Sequence, residues 1–285
     1  MISLVFFGSS EYSLIILEKV LRLPDFSLSL VISKIDKPVG RDQTITSNPV
    51  AKFATDHQLP LLQLEKFTSD HKSYIKNLKS NLGLCVAFGP PFFDQELIDT
   101  FPSKIINIHP SPLPKYRGAT PGPWQIINGE AASAVTFFQI DPLPDHGPII
   151  TSIPFSISPT ETASSFYQKA FTLAANNLDS VLKNYISHPN SLTPQNHSLK
   201  TCFPKLSKDR ALINWNQTQK YLDAFVRGLS PWPIAWTFVT NHNSQNLKMK
   251  IFSYDLQKNE PQKVQIEGKK PTLWSEIKSH YSIIK

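Results

Sequence analysis

The densest polar segment of this chain is IINIHPSPLPKYRGATP, residues 105–121. Asn107 and His109 alternate with Ile106 and Ile108, so on a strand the two polar side chains share the face opposite the isoleucines. An amide that donates and an imidazole that moves a proton, side by side at a strand end, suit a reaction that builds up negative charge on an oxygen. The same spacing also suits a hydrogen-bonded core histidine beside a turn asparagine, and spacing alone does not separate the two. Prolines at 110, 112 and 114 then fix the backbone and stiffen the loop. Downstream, FFQIDPLPDHGPII (137–150) places Asp141 and Asp145 in a proline-rich loop after an apolar run. A carboxylate there can orient His109, raise its pKa or take a proton from an attacking amine. Asp141 suits a turn that closes the strand equally well, and His146 reads as a loop residue.

The elements that must position these residues follow from the apolar pattern. ISLVFFG (2–8), SLSLVIS (27–33), LPLLQL (59–64), LGLCVAFG (82–89), KIINIHPSPLP (104–114) and ASAVTFFQID (132–141) are short apolar runs. Helix-like stretches such as YSLIILEKVLRL, NPVAKFATDHQ and HKSYIKNLKSN separate the earlier ones. This alternation predicts an α/β, Rossmann-like, mostly parallel sheet with helices on both faces. Ligands of such sheets bind beyond the carboxyl ends of the strands. The first turn reads GSSEYS and not G-x-G-x-x-G, which speaks against a dinucleotide-dependent oxidoreductase.

Residues 158–186 form a long helix with a Thr/Glu start signal. The polar, proline-bearing stretch at 188–206 has no period and reads as a linker between a catalytic domain (1–187) and a small β-rich domain (207–285). Charge changes at the same place. Residues 200–285 carry 14 Lys and Arg against 6 Asp and Glu, a net of +8, whereas residues 1–199 are close to neutral. A polyanionic partner and a merely solubilising basic surface both account for that surplus. The chain has two cysteines: Cys85, in an apolar run, reads as a core residue, and Cys202 lies too far along the chain to join it in a zinc cluster. No run of about 18 apolar residues is present, and MISLVFFGSS reads as a first strand, which together lead us to expect a reduced, cytoplasmic protein with no membrane partner.

NIHPSPLPKYRGATP followed by PLPDHG resembles the 10-formyltetrahydrofolate-dependent formyltransferases. The resemblance extends over FFGSSEYS, DKPVGR (36–41), VAFGPPF (86–92), INWNQTQKYLDAFVRGLSPWPIAW (213–236) and VQIEGKKPTLWSE (264–276). WPIAW and EGKKP point to the branch that formylates methionyl-tRNA. The resemblance implies that Asn107 and His109 stabilise the tetrahedral intermediate and that Asp145 keeps His109 protonated or helps to remove the amine proton. It implies a folate site formed by Ser111, Pro112, Leu113, Pro114 and Asp141 facing a wall of Phe88, Gly89, Pro90 and Pro91. It places Arg41 near a tRNA acceptor stem, with Lys248, Lys250, Lys269 and Lys270 as further tRNA contacts. The co-substrate would be 10-formyltetrahydrofolate, the acceptor initiator methionyl-tRNA, the enzyme a monomer without a metal. Formyl transfer to a small amine such as an amino-sugar nucleotide is the alternative. Departures from the family pattern are Pro112 in the folate loop and a short C-terminal domain, with only 30 residues between Trp236 and Glu267, so the family's OB-like barrel is expected in reduced form.

Overall fold

The computed structural model describes residues 1–39, 42–90 and 93–284. In chain order its elements are β1 (Ile2–Gly8), α1 (Glu11–Val20), β2 (Phe26–Lys34), β3 (Lys37–Val39), β4 (Thr44–Thr46), α2 (Pro49–Asp56), β5 (Leu61–Leu64), α3 (Ser69–Asn77), β6 (Leu82–Val86), α4 (Gln95–Asp99) and β7 (Ile105–His109). There follow α5 (Pro121–Ile127), β8 (Ala132–Gln139), β9 (Ile149–Ser156), α6 (Ala163–Ser187), α7 (Gln219–Gly228), β10 (Ala235–Asn241), β11 (Asn246–Asp255), β12 (Glu260–Ile266), β13 (Thr272–Leu273), α8 (Trp274–Ile277) and β14 (Tyr281–Ile283).

Seven strands form one sheet in the order β5-β2-β1-β6-β7-β8-β9. The first five of these pair in parallel, and β8 runs antiparallel to β7. β1 is apolar from Leu4 to Phe7 with no exposure of any of those side chains, as a central strand covered on both faces requires. Strand order reverses between β1 and β6, where Ser13 at the start of α1 donates to the Val86 carbonyl at 2.7 Å. The residues after β1, β6 and β7 therefore flank the crevice in which doubly wound sheets hold ligands. An aromatic cluster of Phe7, Phe88, Phe93 and Phe101 lies beneath this region, with Phe7 and Phe93 in edge-to-face contact at 5.0 Å.

The chain divides into two compact units, whose last break, between residues 202 and 203, lies inside the stretch 188–206. The first unit comprises residues 1–117, 134–155 and 168–202; the second comprises 118–133, 156–167 and 203–285. Residues 193–202 belong to the first unit because backbone and side-chain bonds tie them there. Thr193 and Ile149 exchange both backbone hydrogen bonds at 2.8 Å, and Arg117 N–H donates to the Thr201 carbonyl at 2.9 Å.

The second unit holds a five-stranded antiparallel sheet, β13-β12-β11-β10-β14, the reduced barrel-like sheet that the short C-terminal region leads one to expect. Its strands alternate with period two. In β11, Met249 and Ile251 are buried whereas Lys250 is exposed and Lys248 half-exposed, so one face joins the core and the other carries charge. Leu222, Phe225 and Val226 of α7 and Ile127 of α5 complete that core. Among the described residues no helix is long and apolar enough to cross a membrane.

Candidate active site

β7 ends in His109, and the alternation IINIH buries Ile106 and Ile108 while leaving Asn107 half-buried. His109 is almost completely enclosed. Its Nε2 lies 2.9 Å from the carbonyl oxygen of Tyr116. A carbonyl only accepts, so Nε2 carries a hydrogen and donates, which leaves Nδ1 as the ring nitrogen free to gain or lose a proton. That nitrogen faces Asp145 Oδ1 at 3.8 Å, and the Asp145 side chain is itself 15% exposed. The Asn107 amide makes no hydrogen bond among the described residues and so is available to a ligand.

The loop after β7 owes its shape to its prolines. Pro110, Pro112 and Pro114 lack N–H groups, so only Ser111 and Leu113 can donate between them, and each does so to a carbonyl two residues back: Ser111 to His109 at 2.9 Å, Leu113 to Ser111 at 3.0 Å. Ser111 Oγ donates to the Lys115 carbonyl at 2.8 Å. Thr136 of β8, the register partner of His109, donates to the Ser111 carbonyl at 2.6 Å. The loop ends at Tyr116, whose φ of +59° turns its carbonyl to His109.

Asp145 stands in the loop between β8 and β9 with φ +49°, a left-handed conformation that costs a non-glycine residue on the order of 1 kcal/mol. Two residues on, a Cβ on Gly147 would fall 1.9 Å from the Gln139 carbonyl oxygen, so only glycine fits there. Gln195 donates to the carbonyls of Asp145 and Gly147 at 3.0 and 2.7 Å. Arg117 in turn donates to Gln195 Oε1 at 2.5 Å and to His197 Nδ1 at 2.8 Å. His197 stacks on His146 with ring centroids 4.0 Å apart, and His146 Nδ1 pairs with Asp141 Oδ2 at 2.5 Å. Although His197 is exposed, desolvation by the groups packed against it, with His146 and the Arg117 guanidinium close by, holds its ring below the usual histidine pKa.

The structure thus brings Asn107, His109 and Asp145 to one place, with Ser111 to Pro114 directly following. Ser111 and Leu113 are buried and serve the loop's own shape, while Pro112 and Pro114 are half-buried. Gly89, with φ +70°, and Pro90 are exposed, but the Phe88 ring belongs to the aromatic core, 5.9 Å from Phe7 and under the Lys34 amine at 4.1 Å. Pro91 and Arg41 lie outside the described residues. The Asp141 carboxylate is already engaged by the Leu143 N–H and by His146, so it closes the turn. Cys85 is buried, and burial pushes its thiol up to about 12, as suits a core residue. Thr136, Arg117, Gln195 and His197 carry no sequence signal of their own, because most of what they bind is backbone or one another.

In the second unit Lys248 lies 3.6 Å over the Trp236 indole, whose N–H donates to the Lys208 carbonyl. Lys250 and Lys270 are exposed, and Lys269 donates to the Tyr281 hydroxyl at 2.7 Å.

Comparison with known proteins gives the chain's family. Residues 3–182 match the Formyl transferase family, and residues 205–274 match the family described as Formyl transferase, C-terminal domain. The methionyl-tRNA formyltransferase of Acetivibrio thermocellus is 33% identical over 251 residues, which cover 88% of this chain and 79% of that protein. The protein of the same name from Flavobacterium johnsoniae is 33% identical over 260 residues, 89% of this chain and 80% of its own. Among solved structures, the N-formyltransferase of Helicobacter canadensis, in complex with folinic acid and dTDP-3-aminofucose, superposes with a TM-score of 0.65 at 21% identity, covering 90% of this chain and 91% of that one. HypX of Aquifex aeolicus in complex with tetrahydrofolic acid superposes at 0.59 with 17% identity, over 89% of this chain and 37% of that one.

Proposed function

The chain belongs to the formyl transferase family, and on that premise we propose that it moves the formyl group of 10-formyltetrahydrofolate onto the α-amino group of initiator methionyl-tRNA. The observation that carries the chemistry is the fixed tautomer of His109, with Nε2–H given to Tyr116 and Nδ1 turned to Asp145.

An α-amino group has a pKa of about 8, so much of it is already nucleophilic near neutrality. Its nitrogen attacks the formyl carbon, and the carbonyl π electrons move onto oxygen. The Asn107 amide donates to that oxygen. His109 Nδ1 accepts the proton that the new C–N bond makes acidic, and Asp145 offsets the charge of the resulting imidazolium. Collapse of the intermediate breaks the bond between carbon and the folate nitrogen, and His109 returns the proton to that nitrogen. Positioning and oxyanion stabilisation supply most of the rate in this scheme. Ser111 to Pro114, Gly89 and Pro90 flank the folate, with the Phe88 ring packed in the aromatic core.

For the acceptor, two features favour tRNA. The curated relatives that match across most of the chain bear that name, and the +8 surplus sits in residues 200–285, with Lys248, Lys250, Lys269 and Lys270 on or beside the five-stranded sheet. Such lysines hold phosphates without reading bases. Arg41 belongs to the same expectation. A small amine such as an amino-sugar nucleotide is the second reading, favoured by the likeness to the Helicobacter canadensis enzyme over 91% of that chain. A formylation assay decides between them, with 10-formyltetrahydrofolate as donor and methionine-charged initiator tRNA, free methionine or a dTDP-amino sugar as acceptor. We expect transfer to the charged tRNA alone; transfer only to the sugar replaces the first reading with the second.

A further inference from the structure

We propose that Gln195, itself held by Arg117, is a positioning residue for the Asp145 carboxylate, an inference that rests on the formyl-transfer reading above. Gln195 is buried, and its single amide nitrogen donates to the carbonyls of Asp145 and Gly147, the two that flank His146 in sequence. The amide's orientation is dictated by its partners. Carbonyl oxygens can only accept and the Arg117 guanidinium can only donate, so nitrogen faces the loop and Oε1 faces Arg117. Gln195 therefore grips the backbone on both sides of His146 and holds Asp145 in its left-handed conformation, from which the carboxylate reaches His109.

Arg117 is fixed in turn. It is buried, its backbone bonds to Thr201, and its guanidinium also donates to His197 Nδ1. His197 stacks on His146, which Asp141 holds at its Nδ1. The segment 193–202 thus supplies Gln195, His197 and Thr201 to one end of the network and leaves Asp145 little freedom to rotate away. Glutamate at 195 keeps the shape but turns an acceptor toward two carbonyls. Asparagine keeps the amide but withdraws it by one methylene.

The test uses the full chain and compares Gln195→Glu, Asp145→Asn and the double variant for kcat, for KM of each substrate and for the thermal midpoint, with the acceptor identified by the formylation assay. The expected result is a tenfold or greater loss of kcat in Gln195→Glu with both KM values within twofold of wild type. In the Asp145→Asn background the same change should cost no more than a further twofold, because the group it positions is already gone. A Gln195→Glu enzyme with wild-type kcat, beside an Asp145→Asn enzyme reduced a hundredfold, overturns the positioning role and leaves the catalytic reading standing. Asp145→Asn at the wild-type rate overturns both. Full additivity in the double variant also overturns the proposal, since it marks Gln195 as a general structural support. Should Gln195→Glu lack a cooperative unfolding transition, Gln195→Asn is judged by the same criteria.

Discussion

Each unit of the molecule places lysines over aromatic rings, and one pair from each unit behaves in the opposite way to the other. Lys248, over Trp236 at 3.6 Å, stands on the charged face of the five-stranded sheet beside exposed Lys250. Lys34, over Phe88 at 4.1 Å, has its amine sealed from solvent without a hydrogen-bond partner among the described residues, and burial pulls its pKa from 10.5 down to about 8. A cation over a ring is worth ~0.5–1 kcal/mol where water still reaches it, but sealing the same cation without an acceptor costs more than the ring returns. The contrast extends to the surroundings. Around His109 several polar groups are committed to named partners, as His109 is to Tyr116 and Gln195 to two carbonyls. On the outer sheet face the lysines keep their charge available. The first arrangement suits a reaction that tolerates little displacement, the second a surface that must attract phosphate at several points.

The largest effect expected from breaking this contrast lies in the first unit. Asn107→Ala, His109→Ala and Asp145→Ala should each lower turnover by about two to three orders of magnitude, with thermal midpoints close to wild type. Steady-state kinetics on each folded variant checks this, and any one that turns over normally leaves the mechanism. Changes on the sheet face should be smaller and of another kind. Replacing Lys248 and Lys250, or Lys269 and Lys270, with glutamine should weaken binding of the charged tRNA several-fold with kcat kept. The slope of log affinity against log salt should become shallower by roughly one for each phosphate no longer neutralised. An unaltered slope would make those lysines a solubilising surface.

The smallest effect sharpens the comparison itself. Because the folded-state pKa of Lys34 lies below its ordinary value, the unfolded chain binds more protons between about pH 8 and 10.5, and this residue's penalty on the fold fades as pH rises through that window. Lys34→Met should therefore raise the thermal midpoint by a few degrees near pH 7, and the advantage should shrink toward pH 10.5. Lys248→Met offers the control, with no gain expected at either pH.

Much of this was legible in sequence, for identifiable reasons. Buried strands such as ISLVFFG and LGLCVAF announce themselves because both faces are covered, and Asn107 and His109 stand out against isoleucines. The β9 run IITSIPFS was less visible, since it alternates half-buried with exposed positions at the sheet's edge. The residues that fix the site are harder still to read. Gln195 and Arg117 act on carbonyl oxygens and on one another, so a polar, aperiodic stretch that resembles a linker conceals a structural clamp. For Phe88 the motif does not reveal the packing of its ring, which Phe7, Phe67 and Phe93 draw into the core.

The path of the chain has a bearing on how acceptor preference can be inherited. Ile127 shares one core with Leu222 and Val226, and residues 118–133 and 156–167 belong to the second unit although they precede the end of the first. A single crossover near residue 203 between two relatives would join a foreign sheet to native segments shaped for another core. Exchange of this unit as a cassette requires three coordinated replacements, so its surface is expected to diversify by point substitution on the lysine-bearing face and not by shuffling.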